Sequence, residues 1–167
     1  MVLMEIESIE FKKIDLESHR DIVIKFREDS FVSSFGNADR FYEADGQGHL
    51  RYLDWLQNKI QYDASFGVHA WQGDEIIGQL ELGLLKGDDS IGYVNLYYLI
   101  PEKRGSGLAQ ILDEYTTMVF KNLGKRRVRL SVSPTNSRAL NFYLKMGWTD
   151  LGTRSDHPEV NFMEKLF

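Results

Sequence analysis

The densest run of chemistry-bearing residues in this 167-residue chain is Ile-Pro-Glu-Lys-Arg-Gly-Ser-Gly-Leu-Ala-Gln at positions 100–110. Gly105, Ser106, Gly107 and the small Ala109 leave the backbone free to make a tight concave turn that opens a helix. The N–H groups of such a turn point outward, and the helix dipole adds positive potential, so the segment suits a diphosphate. Lys103 and Arg104 add formal charge. The segment is not a P-loop, because no Gly-Lys-Ser/Thr follows, nor a dinucleotide fingerprint, because Gln110 stands where the third glycine belongs. On the glycines alone, a helix that merely begins at a glycine turn explains the run equally well.

Other chemistries are poorly supplied. The absence of cysteine excludes a disulfide framework, thiolate zinc ligation and a cysteine nucleophile. His19, His49, His69 and His157 fall in no metal-ligand spacing, so no metal is expected, and no Gly-x-Ser-x-Gly supports a serine triad. The net charge of −5 argues against bulk binding of nucleic acid. No apolar run approaches the ~18 residues that span a bilayer, and the start lacks a basic-then-apolar leader. A cytoplasmic protein without a membrane partner, monomeric or homodimeric, is the expectation. Residues 1–90 hold 18 acids against 9 bases, whereas residues 91–167 hold 7 against 11. That asymmetry suits a cationic substrate beside an anionic cofactor, and suits ordinary solvated surface charge as well. A 43% apolar content at this length predicts one domain over residues 1–167 with a sizeable core.

The elements that must position residues 100–110 follow from periodicity. Residues 8–13 alternate as a short strand. Caps at 15–18 lead into a helix with Ile22, Val23 and Phe26 on one face. Residues 33–48 read as an irregular surface loop, and Leu50, Leu53, Leu56 and Ile60 mark a second helix. Strands at 66–71, 76–85 and 91–100, joined by short polar turns, predict an antiparallel meander. Leu108, Ile111, Leu112, Tyr115 and Val119 stripe a helix that ends near Asn122 and Gly124. A strand at 128–132, a helix at 137–146 and strands at 148–154 and 160–167 complete the order β-α-α-β-β-β-α-β-α-β-β. The strand-helix-strand unit between 91 and 132 implies a right-handed crossover and a parallel pair inside a mixed sheet.

Arg104-Gly105-Ser106-Gly107-Leu108-Ala109 resembles the acyl-CoA motif R/Q-x-x-G-x-G/A of the GNAT (GCN5-related N-acetyltransferase) superfamily. Asn136-Ser137-Arg138-Ala139-Leu140-Asn141-Phe142-Tyr143-Leu144-Lys145-Met146-Gly147-Trp148 resembles its second signature, N-x-x-A-x-x-F-Y-x-x-x-G-F, with tryptophan for the final phenylalanine. The resemblance implies an α/β (α+β) three-layer fold: a central mixed, mostly antiparallel twisted sheet of about seven strands flanked by about four helices. It also implies acetyl-CoA as cosubstrate and an amine as acceptor. The amides of Arg104, Gly105, Ser106, Gly107, Leu108, Ala109 and Gln110 would hold the CoA diphosphate. The backbone of Tyr98 and Leu99 would pair with the pantetheine arm where two strands splay apart, and Pro134 suits a strand that stops pairing there. Asn136 would help position the cofactor, or cap the following helix.

By the same resemblance Tyr143 is the general acid that protonates the departing thiolate; the other reading is a core tyrosine beside Phe142. Helical spacing places Leu140 and Tyr143 on one face and predicts that Phe142 and Met146 point into the core. An amine of pKa ~10.4 must shed a proton before attack. The third meander strand offers Asn95 rather than an acid, and Glu81 is the sole carboxylate inside a predicted central strand. Glu81 is therefore the candidate base, or a solvated strand-face carboxylate. Phe31, Phe35, Phe41, Tyr42, Tyr52 and Trp55 fall where the family builds its acceptor site, with Glu28, Asp29, Glu43 and Asp54 as possible cation partners; packing between the first two helices accounts for the aromatics equally. The chain thus reads as an N-acetyltransferase working by direct amine attack in a ternary complex. A non-catalytic acyl-CoA-binding or regulatory module, and an interaction protein using the 31–42 aromatics, are the rival readings.

Overall fold

A computed structural model describes residues 8–167. Seven strands form one sheet in the order β1-β2-β3-β4-β5-β7-β6. They are β1 (Ile9–Lys13), β2 (Gly67–Gln72), β3 (Glu75–Leu85), β4 (Asp88–Leu99), β5 (Arg127–Val132), β6 (Thr149–Thr153) and β7 (Asn161–Leu166). Every neighbouring pair is antiparallel except β4 and β5, which are joined in parallel through α4 (Leu108–Asn122). The meander turns are two residues long: Gln72 pairs with Glu75 and Leu85 with Asp88, with Gly73 and Gly87 at positive φ. The expected turn at 86–89 is thus shortened, since Asp88 and Asp89 already belong to β4.

On one face lie α1 (Leu16–Phe35), α2 (Asp39–Tyr42) and α3 (Gly48–Tyr62). Asp15 caps α1, accepting from the amides of Glu17 and Ser18 at 3.1 and 3.2 Å. Helix α1 runs beyond its expected end until Gly36, whose φ of 84° and N–H to Val32 O (2.8 Å) close it. The expected loop at 33–48 therefore holds the last turn of α1 and the four-residue α2, too short to leave a periodic signal. Val23, Phe41, Leu53, Leu56 and Ile60 pack these helices together, whereas Leu50, expected on the same stripe, is 39% exposed. Leu50 sits in the first turn of α3, where the stripe has not yet reached its neighbours.

The other face is covered by α4 and α5 (Ser137–Lys145). Leu82, Val94, Phe120, Val128, Leu130 and Met163 form a buried apolar cluster there, and Leu80, Leu99, Leu108 and Leu112 extend it towards β2. Strand β3 therefore turns its leucines to α4, while its alternate residues Gln79 and Glu81 face α1 and α3, both fully buried. Among the described residues no helix is long and apolar enough to cross a membrane.

Gly92 opens the parallel pairing opposite Val128, and a Cβ on it would fall 2.6 Å from the ring of the fully buried Phe120. Gly92→Ala is expected to cost about 1–3 kcal/mol through overpacking, seen as a lower denaturant midpoint at unchanged slope.

Candidate active site

The parallel pair is brief. Gly92, Tyr93 and Val94 face Val128, Arg129 and Leu130, and beyond them β4 and β5 have no register with each other. On its other side β4 stays paired with β3 as far as Leu99, but Glu81 faces Leu96 while Leu82 faces Val94. Asn95 is the extra residue of that bulge. A bulge bends its strand and increases twist, and here it coincides with the point where β4 leaves β5. The divergence opens a cleft of about 860 Å³ between residues 95–99 and 130–133, with α5 on one side and the end of α1 on the other.

The glycine turn closes one end of the cleft. Gly105 and Gly107 have φ of 76° and 85°, and Gly107 caps α4 without a side-chain hydrogen bond or a first-turn acid. The amides of the first turn of α4 are consequently open. Gly105, Gly107, Ala109 and Gln110 line the cleft, whereas the Leu108 side chain is buried with Leu99 and Leu112. Ser106 Oγ donates back to Lys103 O, and Gln110 Nε2 to Glu114 Oε1 at 3.1 Å.

Arg104 differs from expectation. Its amide donates to Pro101 O (3.2 Å), inside the 3-10 turn Pro101–Lys103 that precedes it. Its guanidinium joins Asp29 Oδ2 at 2.7 Å and Leu99 O at 2.9 Å, making it a strut between α1 and the end of β4. Tyr98 shares that strut: its ring stacks on Phe26 at 4.5 Å and its hydroxyl donates to Asp29 at 2.6 Å. Tyr98 and Leu99 do line the cleft, but the Leu99 carbonyl is already taken by Arg104.

The cation over the turn is instead Arg138, in the first turn of α5. Its Nη2 lies 3.2 Å from where a Cβ on Gly105 would stand, and among the described residues it has no ion-pair partner. Sequence reasoning missed it. The signal was an arginine two residues after Asn136, legible only once both motifs are known to meet at one end of the cleft. Asn136 Oδ1 accepts from Ala139 N at 3.2 Å, so it caps α5, and the residue also lines the cleft.

Tyr143 lies on the cleft wall between the rings of Tyr97 and Trp148, with centroids at 6.1 and 5.9 Å. Burial, assisted by the charge of Asp113, pushes its phenol well above the ordinary tyrosine range. It shares the packed stripe of α5 with Ala139, Leu140 and Met146. Phe142, expected in the core, lines the cleft, because one helical step turns it about 100° from Tyr143.

Glu81 is neither solvated nor on the cleft wall. Its Oε2 accepts from Tyr52 Oη (2.5 Å) and Gln79 Nε2 (2.7 Å), and its Oε1 lies 2.8 Å from Arg27 Nη2. Arg27, which does line the cleft, stands between them and packs on the rings of Tyr52 and Trp55 at 5.1 and 5.7 Å. The β3 face that looked available for catalysis is thus sealed by α1 and α3. Asn95 lines the cleft with a buried Oδ1 that has no partner among the described residues. Phe31 and Phe35 also reach it, while Phe41, Tyr42, Tyr52 and Trp55 belong to the helical layer. Of the expected acidic partners, Glu28 accepts from Tyr42, Asp29 holds Arg104 and Glu43 holds Arg51; none of these, nor Asp54, lines the cleft. Its charged lining is Arg27, Arg104, Arg138 and Lys145. The acidity of the first half of the chain is spent on its own helices and surface.

The Glu81 network ends at His69, whose Nε2–H donates to Gln79 Oε1 at 2.8 Å. Burial lowers its pKa from 6.5 to about 4, against an opposing contribution from that hydrogen bond. The unfolded chain therefore takes up a proton near pH 6.5 that the folded chain refuses until about pH 4. Stability is expected to fall across that window as pH drops, by about 3 kcal/mol at most from this group. Denaturant titrations at several pH values check this, and His69→Gln should flatten the slope.

Residues 25–148 match the model of the acetyltransferase (GNAT) family. An uncharacterized N-acetyltransferase of Mycobacterium bovis is 36% identical over 72 residues, 43% of this chain and 46% of that protein, so the match spans about half of the relative. N-alpha-acetyltransferase 30 of Schizosaccharomyces pombe is 26% identical over 117 residues, 59% of this chain and 78% of that protein. Among solved structures, the PaiA N-acetyltransferase of Thermoplasma acidophilum in complex with coenzyme A aligns with a TM-score of 0.76 at 22% identity, over 96% of this chain and 99% of that one. An acetyltransferase of Thermus thermophilus aligns at 0.75 with 16% identity, over 98% and 100%. With its parted strands, its open glycine turn and a family match across most of its length, the chain belongs to the GNAT acetyltransferase family.

Proposed function

We propose that this chain is a single-domain acetyltransferase that moves the acetyl group of acetyl-CoA to a primary amine by direct attack. The observation that carries the proposal is a coincidence of place: the flank of β4 left unpaired beyond Val94 and the open amides of the turn at 105–110 border one cleft. An extended amide-bearing chain with a diphosphate at one end matches both. The turn amides from Gly105 to Gln110, with Arg138, take the diphosphate. The free flank of residues 95–98 hydrogen-bonds the pantetheine arm. Asn136 stays the cap of α5 and contributes its remaining amide. The coenzyme A complex of the Thermoplasma protein, which shares this fold, supports the assignment.

In this reading the amine enters from the side of Phe31, Phe35 and Arg27, and Asn95 Oδ1 accepts one of its N–H groups. The nitrogen lone pair attacks the acetyl carbonyl carbon, the C–S bond breaks, and the thiolate takes the proton of the Tyr143 hydroxyl. The proton shed by the amine passes to water and a solvent proton restores the Tyr143 hydroxyl, since Glu81 lies buried behind Arg27 and serves to hold it. Positive residues dominate the cleft, so attraction of a cation is not what selects the acceptor; shape and hydrogen bonding on the α1 side do.

Calorimetry should show coenzyme A binding, weakened about tenfold by Arg138→Ala, a loss of about 1.4 kcal/mol. Thiol release from acetyl-CoA across a panel of small amines, polyamines and peptide N-termini should identify an acceptor. Tyr143→Phe should then lower kcat about 10–100-fold with coenzyme A affinity unchanged. Binding heat without transfer to any amine would make the chain an acyl-CoA-binding module, and no heat at all would sink both.

A further inference from the structure

Behind the cleft wall lies a second buried ion pair that no motif announced. Asp113, on α4 and 3% exposed, places Oδ2 at 2.6 Å from Lys165 Nζ of β7. Its Oδ1 accepts from Trp148 Nε1 at 2.9 Å and, more weakly, from the Tyr97 hydroxyl at 3.4 Å. Trp148 and Tyr97 are two of the three rings packed on Tyr143, the third being its neighbour Phe142 at 5.4 Å. One carboxylate oxygen therefore contacts both distant rings packed on Tyr143, from a helix that does not carry Tyr143.

We propose that Asp113 is a positioning residue for acetyl transfer, fixing Tyr97 and Trp148 so that the Tyr143 hydroxyl is held at the cleft wall. The inference rests on the reading of Tyr143 as proton donor. Stability alone gives no reason for a charge at this point, since a buried ion pair is often replaceable by apolar residues without loss. A directional acceptor, by contrast, sets the angle of two rings, which packing alone leaves loose. The groups gathered about Tyr143 are Tyr97 of β4, Asp113 and, through Tyr97, Thr116 of α4, Lys165 of β7 behind Asp113, and Trp148. Asp113 is the negative charge that bears on the phenol, and its presence opposes ionisation there.

Kinetics on the full chain decide the matter. With acetyl-CoA and the fastest amine of the panel, Asp113→Asn should lower kcat about tenfold while KM for acetyl-CoA stays within about twofold. In the Tyr143→Phe background the same change should cost less than about twofold, because the group being positioned is gone. Trp148→Phe, which keeps a ring and removes the donor, should repeat the kcat loss and the coupling if Asp113→Asn folds poorly. An unchanged kcat in both Asp113→Asn and Trp148→Phe, or a tenfold loss that persists in Tyr143→Phe, overturns the positioning role and leaves the proton-donor reading intact. Full activity of Tyr143→Phe removes the proton donor itself, and the inference with it.

Discussion

Everything specific to this structure depends on β4 having two partners only from Gly92 to Val94 and one thereafter. The bulge at Asn95 breaks the register with β3 at the level where the ladder to β5 ends. A central strand cannot ordinarily leave peptide groups unpaired, because a buried N–H or C=O without a partner costs free energy comparable to a lost hydrogen bond. The chain tolerates it here because the gap is wide enough for another molecule or for water. The cleft is thus a property of the backbone. Side chains decorate it, but a different set would leave the opening in place.

Two buried ion pairs sit on opposite faces of the sheet on either side of this opening. Arg27 and Glu81 join α1 to β3, and Asp113 and Lys165 join α4 to β7. Each ties a helix to a strand of the sheet, and each carboxylate accepts further hydrogen bonds from an aromatic O–H or N–H. Satisfaction of that kind is what makes a buried charge tolerable. The strut from Asp29 to Arg104 adds a third tie, between α1 and the mouth of the glycine turn.

Much of this architecture was legible in the chain. The alternating runs and short polar turns of the meander, the stripe of α4 and the crossover all reflect local pattern, which survives in a single sequence. The two glycine-bearing motifs located the turn and α5. What stayed hidden were relations between distant segments. Glu81 looked free because its strand neighbours are leucines; only the packing of α1 and α3 brings Arg27 and Tyr52 onto it. Arg104 looked like a cation for phosphate because its partner Asp29 lies 75 residues away. Arg138 and Asp113 carry no local signature, since their importance comes from what the fold sets beside them. The acidic bias of the first half left two readings open for the same reason: composition counts charges without saying which way they point.

An unpaired strand is normally a hazard, since any other extended chain can dock on it and start aggregation. Here the vulnerable flank lies inside the sheet, in a notch that closes where β4 and β5 pair from Gly92 to Val94. A second protein strand would have to thread a narrowing wedge to reach it, whereas a slender flexible molecule can slide in from the open end. The protein thereby keeps the adhesive capacity of a sheet border for its small partner while denying it to other polypeptides.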